Sequence, residues 1–255
     1  MTTPSVLVTG GAARIGAAIT RAFAADGWQV VIHYHVSDLE ARALADSLPS
    51  AEIVQCELAD GSAAVAMIED LAARLGDWRV LVNCASVFEP DDVTALDPDT
   101  NWQAMQVNAV TPTRIAQAFF AHAQSDAGRC VINVTDQKLA NPNPDFFSYT
   151  MSKHALDSTI AMLAMGAASE QDRVYGLAPG AILASHDQRE EETEISHRLN
   201  PLNQKTGADE VAQAALFLAQ GHLRSGETLF IDSGQHLLRQ PRDVIYLARE
   251  KQTRA

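Results

Sequence analysis

Short apolar runs recur from one end of the chain to the other: Val6–Thr9, Val30–Tyr34, Ile53–Gln55, Val80–Asn83, Val131–Val134, Val174–Ala178 and Leu229–Ile231. The first, second, fourth and fifth are almost continuously apolar, as strands buried on both faces of a parallel sheet must be. Between the runs the period changes. Ile15, Ile19, Ala22 and Phe23 recur at helical spacing, and Gly27 stands where a helix end takes a left-handed residue. Ala64–Leu75, Trp102–Gln124, Phe147–Ser169 and Asp209–Gln220 follow the same period. Strand–helix units repeated with right-handed crossovers predict a doubly wound α/β sheet of about seven parallel strands, with helices on both faces. No Pro/Gly/Ser linker interrupts them, so residues 1–255 read as a single domain.

One stretch breaks the alternation. Residues 181–206 follow a strand directly, are polar, and carry Glu190–Glu192 and Glu194. The acidic cluster is either a solvated helix face or part of a lid over a site at the strand ends, and the two readings are compatible. The balance of 19 Lys+Arg against 32 Asp+Glu gives a formal net charge of −13. That sum argues against nucleic acid or an anionic membrane as partner, because both need a basic footprint. No apolar run approaches the ~18–20 residues that span a bilayer. Cys56, Cys84 and Cys130 are odd in number and widely spaced, which speaks against a disulfide framework or a cysteine zinc site. Met1 to Ser5 carry no basic leader, and a cytoplasmic, soluble protein is the expectation. His122, His154, His186, His197, His222 and His236 show no metal-binding spacing and read as surface or helix residues; no metal is expected.

Candidate chemistry begins at the end of the first strand. Thr9-Gly10-Gly11-Ala12-Ala13-Arg14-Ile15-Gly16 leads straight into a helix. Glycines that admit a close anion, set before a helix N-terminus, make a pyrophosphate cradle of the Rossmann type. Arg14 replaces a usual glycine and puts a cation on the rim, facing cofactor phosphate or substrate. The second strand ends His33-Tyr34-His35-Val36-Ser37, with no carboxylate before Asp38. An NAD site would place an acid there for the ribose hydroxyl. Its absence favours NADP, with His35 and Ser37 able to donate to a 2′-phosphate. Equally, His33 is open to reading as a plain strand residue and His35 as a turn residue.

Tyr149 and Lys153 are spaced i, i+4 in a helical segment, one turn apart on one face. An ammonium there favours tyrosinate, so the expectation is a lowered phenol pKa and a tyrosine able to exchange protons. The Gly-rich loop, Asn83-Cys84-Ala85-Ser86 after strand four, Asn108, Tyr149/Lys153 and Pro179-Gly180 follow in the order of the short-chain dehydrogenase/reductase family, which this sequence resembles over nearly its whole length. The resemblance implies NAD(P)-dependent hydride transfer. Tyr149 would donate the proton, Lys153 would hold the nicotinamide ribose and tune Tyr149, and Asn108 would support a relay water. It also places Gly10, Ile15, Gly16, His33, Tyr34, Glu57, Leu58, Asn83, Ala85, Ser86, Pro179 and Gly180 around the cofactor. Family members are usually tetramers or dimers, and the Ala-rich helices of this chain suit close packing against a twofold mate.

Three departures narrow the resemblance. Arg14 replaces a loop glycine, Asp136 stands where most members carry a catalytic serine, and Asn83-Cys84-Ala85-Ser86 is followed by Val87-Phe88. With His33-Tyr34-His35, these resemble the pteridine reductases and related bacterial dihydromonapterin/dihydrofolate reductases. In that subgroup the resemblance implies Phe88 stacking on a pterin, with Ser86, Arg14, Asp136 and Tyr149 lining its pocket. Val36 departs from the subgroup's eukaryotic arginine and leaves more of the 2′-phosphate to Arg14. The function implied is NADPH-dependent reduction of dihydromonapterin, dihydrobiopterin or dihydrofolate. A carbonyl reductase on the same fold and a dinucleotide-binding sensor without catalysis are the rivals. Asp136 as a structural cap, Phe88 as core packing and Cys84 as a small packing residue are the plainer readings of those positions. Whether Tyr149 or Asp136 delivers the proton is left open. The segment after Gln235 is charged and expected to fray, with Val244–Leu247 able to pack across an interface.

Overall fold

The computed structural model describes residues 3–91, 93–185 and 188–254. Seven strands form one parallel sheet: β1 (Ser5–Val8), β2 (Gln29–Tyr34), β3 (Ala51–Gln55), β4 (Trp78–Asn83), β5 (Cys130–Val134), β6 (Arg173–Pro179) and β7 (Thr228–Ile231), in the order β3-β2-β1-β4-β5-β6-β7. Alternate residues of each strand serve opposite faces. Val6, Val8, Val80, Val82 and Ile132 pack against α1 (Arg14–Ala25) and α8 (Ala208–Ala219). Leu7, Val31, Leu81 and Val131 pack against α3 (Gly61–Arg74), α5 (Thr111–His122) and α6 (Phe147–Met165), with Trp78 edge-on to Phe119 at 4.9 Å. Both faces being covered explains the continuous apolar runs. β1 has β2 on one side and β4 on the other, so the chain reverses direction across the sheet at this point, and a crevice opens beyond the strand ends.

Three elements differ from the sequence-based expectation. A short α2 (Asp38–Asp46) buries only Ala41 and Leu44, too sparse a stripe to announce itself. The predicted Trp102–Gln124 helix is α4 (Pro98–Met105), a π turn over Gln106–Val110 and then α5. Pro112 in the first turn of α5 lacks the N–H that a continuous α-helix would use, and the wider turn absorbs the defect. Residues 181–206 do contain a helix, α7 (Glu190–Ser196); His186 lies outside the described residues. The C-terminal segment does not fray: α9 (Val244–Arg254) packs on α7 and buries Val244, Ile245 and Ala248 within its own chain.

Candidate active site

The loop from β1 to α1 is tight. Gly10 is left-handed at φ +63°, and a Cβ there would sit 2.9 Å from the Ala85 backbone. A Cβ on Gly16 would collide with the main chain of Gly10. Ala13 at the N-cap has no side-chain acceptor and the first turn of α1 holds no acid, so its N–H groups and dipole are free for an anion. Arg14 is itself left-handed at φ 53°, which explains why glycine is the ordinary occupant. Its exposed guanidinium reaches the Leu183 carbonyl at 3.5 Å.

His33 braces this loop. The Gly10 N–H donates to its Nδ1 at 3.1 Å, and its Nε2 donates to the Cys56 carbonyl at 3.1 Å. Burial lowers its pKa to about 4, so the ring is neutral with its proton on Nε2. Of its two readings, the strand residue is the better description, although its ring also borders the cavity. His35 is exposed and pairs with Glu57 at 2.8 Å; both border the cavity beside Leu58. Tyr34, Ser37 and Asn83 do not border it. Tyr34 turns toward α2 and donates to Asp38 at 2.7 Å; Ser37 stands at the N-cap of α2 without a side-chain capping bond; the Asn83 amide donates to Asn133 at 2.8 Å between β4 and β5. Cys84, Ala85 and Ser86 after β4, and Pro179 and Gly180 at the end of β6, do border it.

The proton-handling groups meet at the centre. Tyr149 Oη donates to Asp136 Oδ2 at 2.7 Å, and Asp136 Oδ1 accepts the Lys138 N–H at 2.7 Å. Lys153 is buried, donates from Nζ to the Val134 carbonyl at 2.7 Å, and lies 5.7 Å from the Tyr149 ring centroid. Burial brings the Lys153 ammonium down to about 8. The expected lowering of Tyr149 does not occur: burial, then the Asp136 charge, pushes the phenol well above its ordinary 10. Burial also raises the Asp136 carboxyl above the usual range. Asn108 sits in the π turn with its amide fully engaged, accepting from Val87 N at 2.8 Å and donating to Val87 O and Ser152 Oγ at 2.9 and 3.0 Å. It holds the Phe88 segment to α6 and does not border the cavity. Phe88 is half-buried, edge-on to Tyr149 at 4.6 Å and stacked on Phe146 at 4.1 Å, so packing and cavity lining coexist in one ring.

Two cavities adjoin here. The larger, about 480 Å³, runs from the Gly-rich loop past His35 to Lys153. The smaller, about 190 Å³, opens beyond Asp136 and Tyr149 under α7 and α9. Arg14, Ile15, Phe88, Asp136, Tyr149 and Gly180 border both. The small cavity contains residues that sequence reasoning missed: Lys138, Gln188, Gln240 and Asp243, together with His197, which is 6% exposed and no surface residue. The available signals were the 181–206 stretch, which holds Gln188 and His197, and the apolar Val244–Leu247 stretch. Among the described residues, no group of three or more His, Cys, Asp or Glu could hold a metal ion, and no helix is long and apolar enough to cross a membrane.

A switch-point crevice with a glycine cradle and a Tyr/Lys pair defines a nucleotide-dependent reductase, and residues 10–236 match the family described as enoyl-(acyl carrier protein) reductase. The chain belongs to the short-chain dehydrogenase/reductase family. It is similar to FolM alternative dihydrofolate reductase 1 of Brucella canis, solved as a complex with NADP: TM-score 0.87, 34% identity, 94% of this chain and 96% of that one. It is also similar to pteridine reductase 1 of Leishmania tarentolae, 29% identical over 93% of this chain and 98% of that protein. A putative ketoacyl reductase of the Streptomyces violaceoruber granaticin polyketide synthase is 25% identical over 92% of this chain and 97% of its own length.

Proposed function

We propose that this protein reduces a dihydropterin to its tetrahydro form with NADPH. The observation that carries the reading is the 2.7 Å hydrogen bond from Tyr149 to a buried Asp136, set where the two cavities meet beside Phe88. Reduction of a C=N bond needs hydride at carbon and a proton at nitrogen, and NADPH supplies the hydride when bound. The proton comes from the Asp136–Tyr149 pair. Burial keeps the Asp136 carboxyl protonated to higher pH than a surface acid, and the phenol stays neutral beside it, so a proton is held between them at the cavity wall. Lys153, fixed by Val134, turns its remaining N–H groups toward the cofactor cavity. The cradle fits a dinucleotide because Gly10 and Gly16 let the loop close tightly over the uncapped N-terminus of α1, and Arg14 and His35 supply the donors for a 2′-phosphate. Phe88 and Tyr149 offer the aromatic surfaces a flat ring needs.

NADPH oxidation with a panel of 7,8-dihydropterins, beside ketone substrates, tests the reading. Tyr149→Phe is expected to lower kcat at least about 100-fold with NADPH binding retained. Asp136→Ser is expected to be severely impaired on pterins. Turnover of a carbonyl and of no pterin overturns the proposal in favour of a carbonyl reductase; tight NADPH binding with no turnover favours a sensor. A homotetramer or dimer is proposed as the assembly, supported by exposed Trp102 on α4 and Met162 and Met165 on α6; light scattering checks it. The proposed location is the cytoplasm, supported by the three free cysteines.

A further inference from the structure

Lys138 is 5% exposed, a rare position for an ammonium. It lies in the 3₁₀ turn (Gln137–Ala140) that follows Asp136. Its main-chain N–H holds Asp136 Oδ1. Its Nζ donates to the Asp145 carbonyl at 2.6 Å, stands 3.3 Å from Asp243 Oδ2, and lies 5.5 Å from the ring centroid of Phe146. Phe146 is the left-handed residue (φ 53°) that opens α6 and stacks on Phe88. Asp243, just before α9, accepts the Ile245 N–H at 3.1 Å. A second tie runs beside the first: Arg242 Nε and the Asp243 N–H both donate to the Asp145 carboxylate, at 2.8 and 2.7 Å. One cluster thus joins the Asp136 turn, the start of α6 and the start of α9.

A buried ion pair adds little stability over a well-packed apolar pair, so its position is the informative feature. Lys138 and Asp243 border the small cavity together with Asp136, and neither borders the cofactor cavity. We propose that the Lys138–Asp243 pair positions the Asp136 carboxyl and sets the charge around it, which makes α9 a working wall of the active site. The proposal rests on the reading that Asp136 shares the proton delivered to substrate. Three charged or titratable groups act on that carboxyl directly: Tyr149 and Lys153 from α6, and Lys138 from its own turn; Asp243, at the start of α9, reaches it through Lys138. Lys138 and Lys153 favour the carboxylate; burial opposes them. Removing the Lys138 charge therefore favours protonated Asp136. Removing the Asp243 charge leaves Lys138 uncompensated and favours the carboxylate. A merely structural pair would not produce shifts of opposite sign.

The experiment is a 13C carboxyl titration of the full-length protein saturated with NADP, the Asp136 signal being identified by its loss in Asp136→Asn. The midpoint is expected to rise by about one pH unit in Lys138→Met and to fall by a similar amount in Asp243→Asn. It is expected to stay near the parent value in Lys138→Arg and Asp243→Glu. NADPH fluorescence reports that each variant is folded, with cofactor affinity unchanged. Midpoints that stay fixed, or that move in the same direction in both charge-removing variants, overturn the proposal. Should Lys138→Met fail to fold, Asp243→Asn decides alone, and a midpoint that stays or rises there overturns it. Dihydropterin turnover by Asp136→Asn judges the underlying reading separately: undiminished turnover removes Asp136 from the reaction, whatever the titration shows.

Discussion

The His33 imidazole uses both nitrogens at once, accepting from Gly10 and donating to Cys56, and only the neutral ring can do this. Its pKa falls from 6.5 to about 4 on folding because burial opposes the charged form. Between those two values the unfolded chain binds a proton that the folded chain refuses. Stability is therefore fully present above pH 6.5 and declines as the pH falls toward 4, by up to about 3 kcal/mol from this one group. Urea unfolding midpoints measured across that window should fall with pH in the parent protein and be flatter in His33→Asn, whose baseline is lower. An equal slope in both would dismiss His33 as the cause. The residue was visible in the sequence but its role was not, since both partners come from other strand ends. Tyr149 and Lys153 were legible because four residues on a helix is a local relation. Lys138 was not, because Asp243 lies 105 residues away.

At the level of elements, the strands were legible because burial on both faces leaves no polar alternation. The elements around the substrate cavity were obscure for the opposite reason. α7 and α9 are short, charged helices: beside the few buried apolar residues Val244, Ile245 and Ala248, polar side chains tie them together. Glu192, from the cluster expected to be solvated, is 4% exposed and binds Arg189 at 3.0 Å and Arg249 of α9 at 3.4 Å. Glu190 and Glu191 do face solvent, and Glu194 pairs with Arg198 and Lys205. Glu192 thus ties α7 to α9 over the small cavity. Glu192→Ala should raise the dihydropterin KM about tenfold, the equivalent of one modest contact, while NADPH affinity holds because α7 does not border the cofactor cavity. Equal losses for both ligands would mean that the tie supports the whole site rather than the small cavity alone.

The net charge of −13 acts at the scale of the whole molecule, and the cofactor it must admit carries a pyrophosphate and a 2′-phosphate. A chain of this length has a radius of gyration of about 18 Å. The screening length is about 30 Å at 10 mM salt and about 8 Å at physiological ionic strength. At low salt an approaching NADPH therefore meets the repulsion of the entire acidic surface. At physiological salt it meets only the local field of Arg14, His35 and the α1 N-terminus. Once seated, it is held by backbone N–H groups at short range, and those contacts are barely screened. Stopped-flow NADPH fluorescence should accordingly show an association rate that rises between 10 and about 150 mM salt, with the dissociation rate nearly constant. A rate that falls with salt would mean that the cations around Arg14 govern the approach from afar and the acidic surplus lies elsewhere. The same series with Arg14→Ala separates the two fields: its association rate should keep the upward salt dependence and lie below that of the parent protein at every salt concentration.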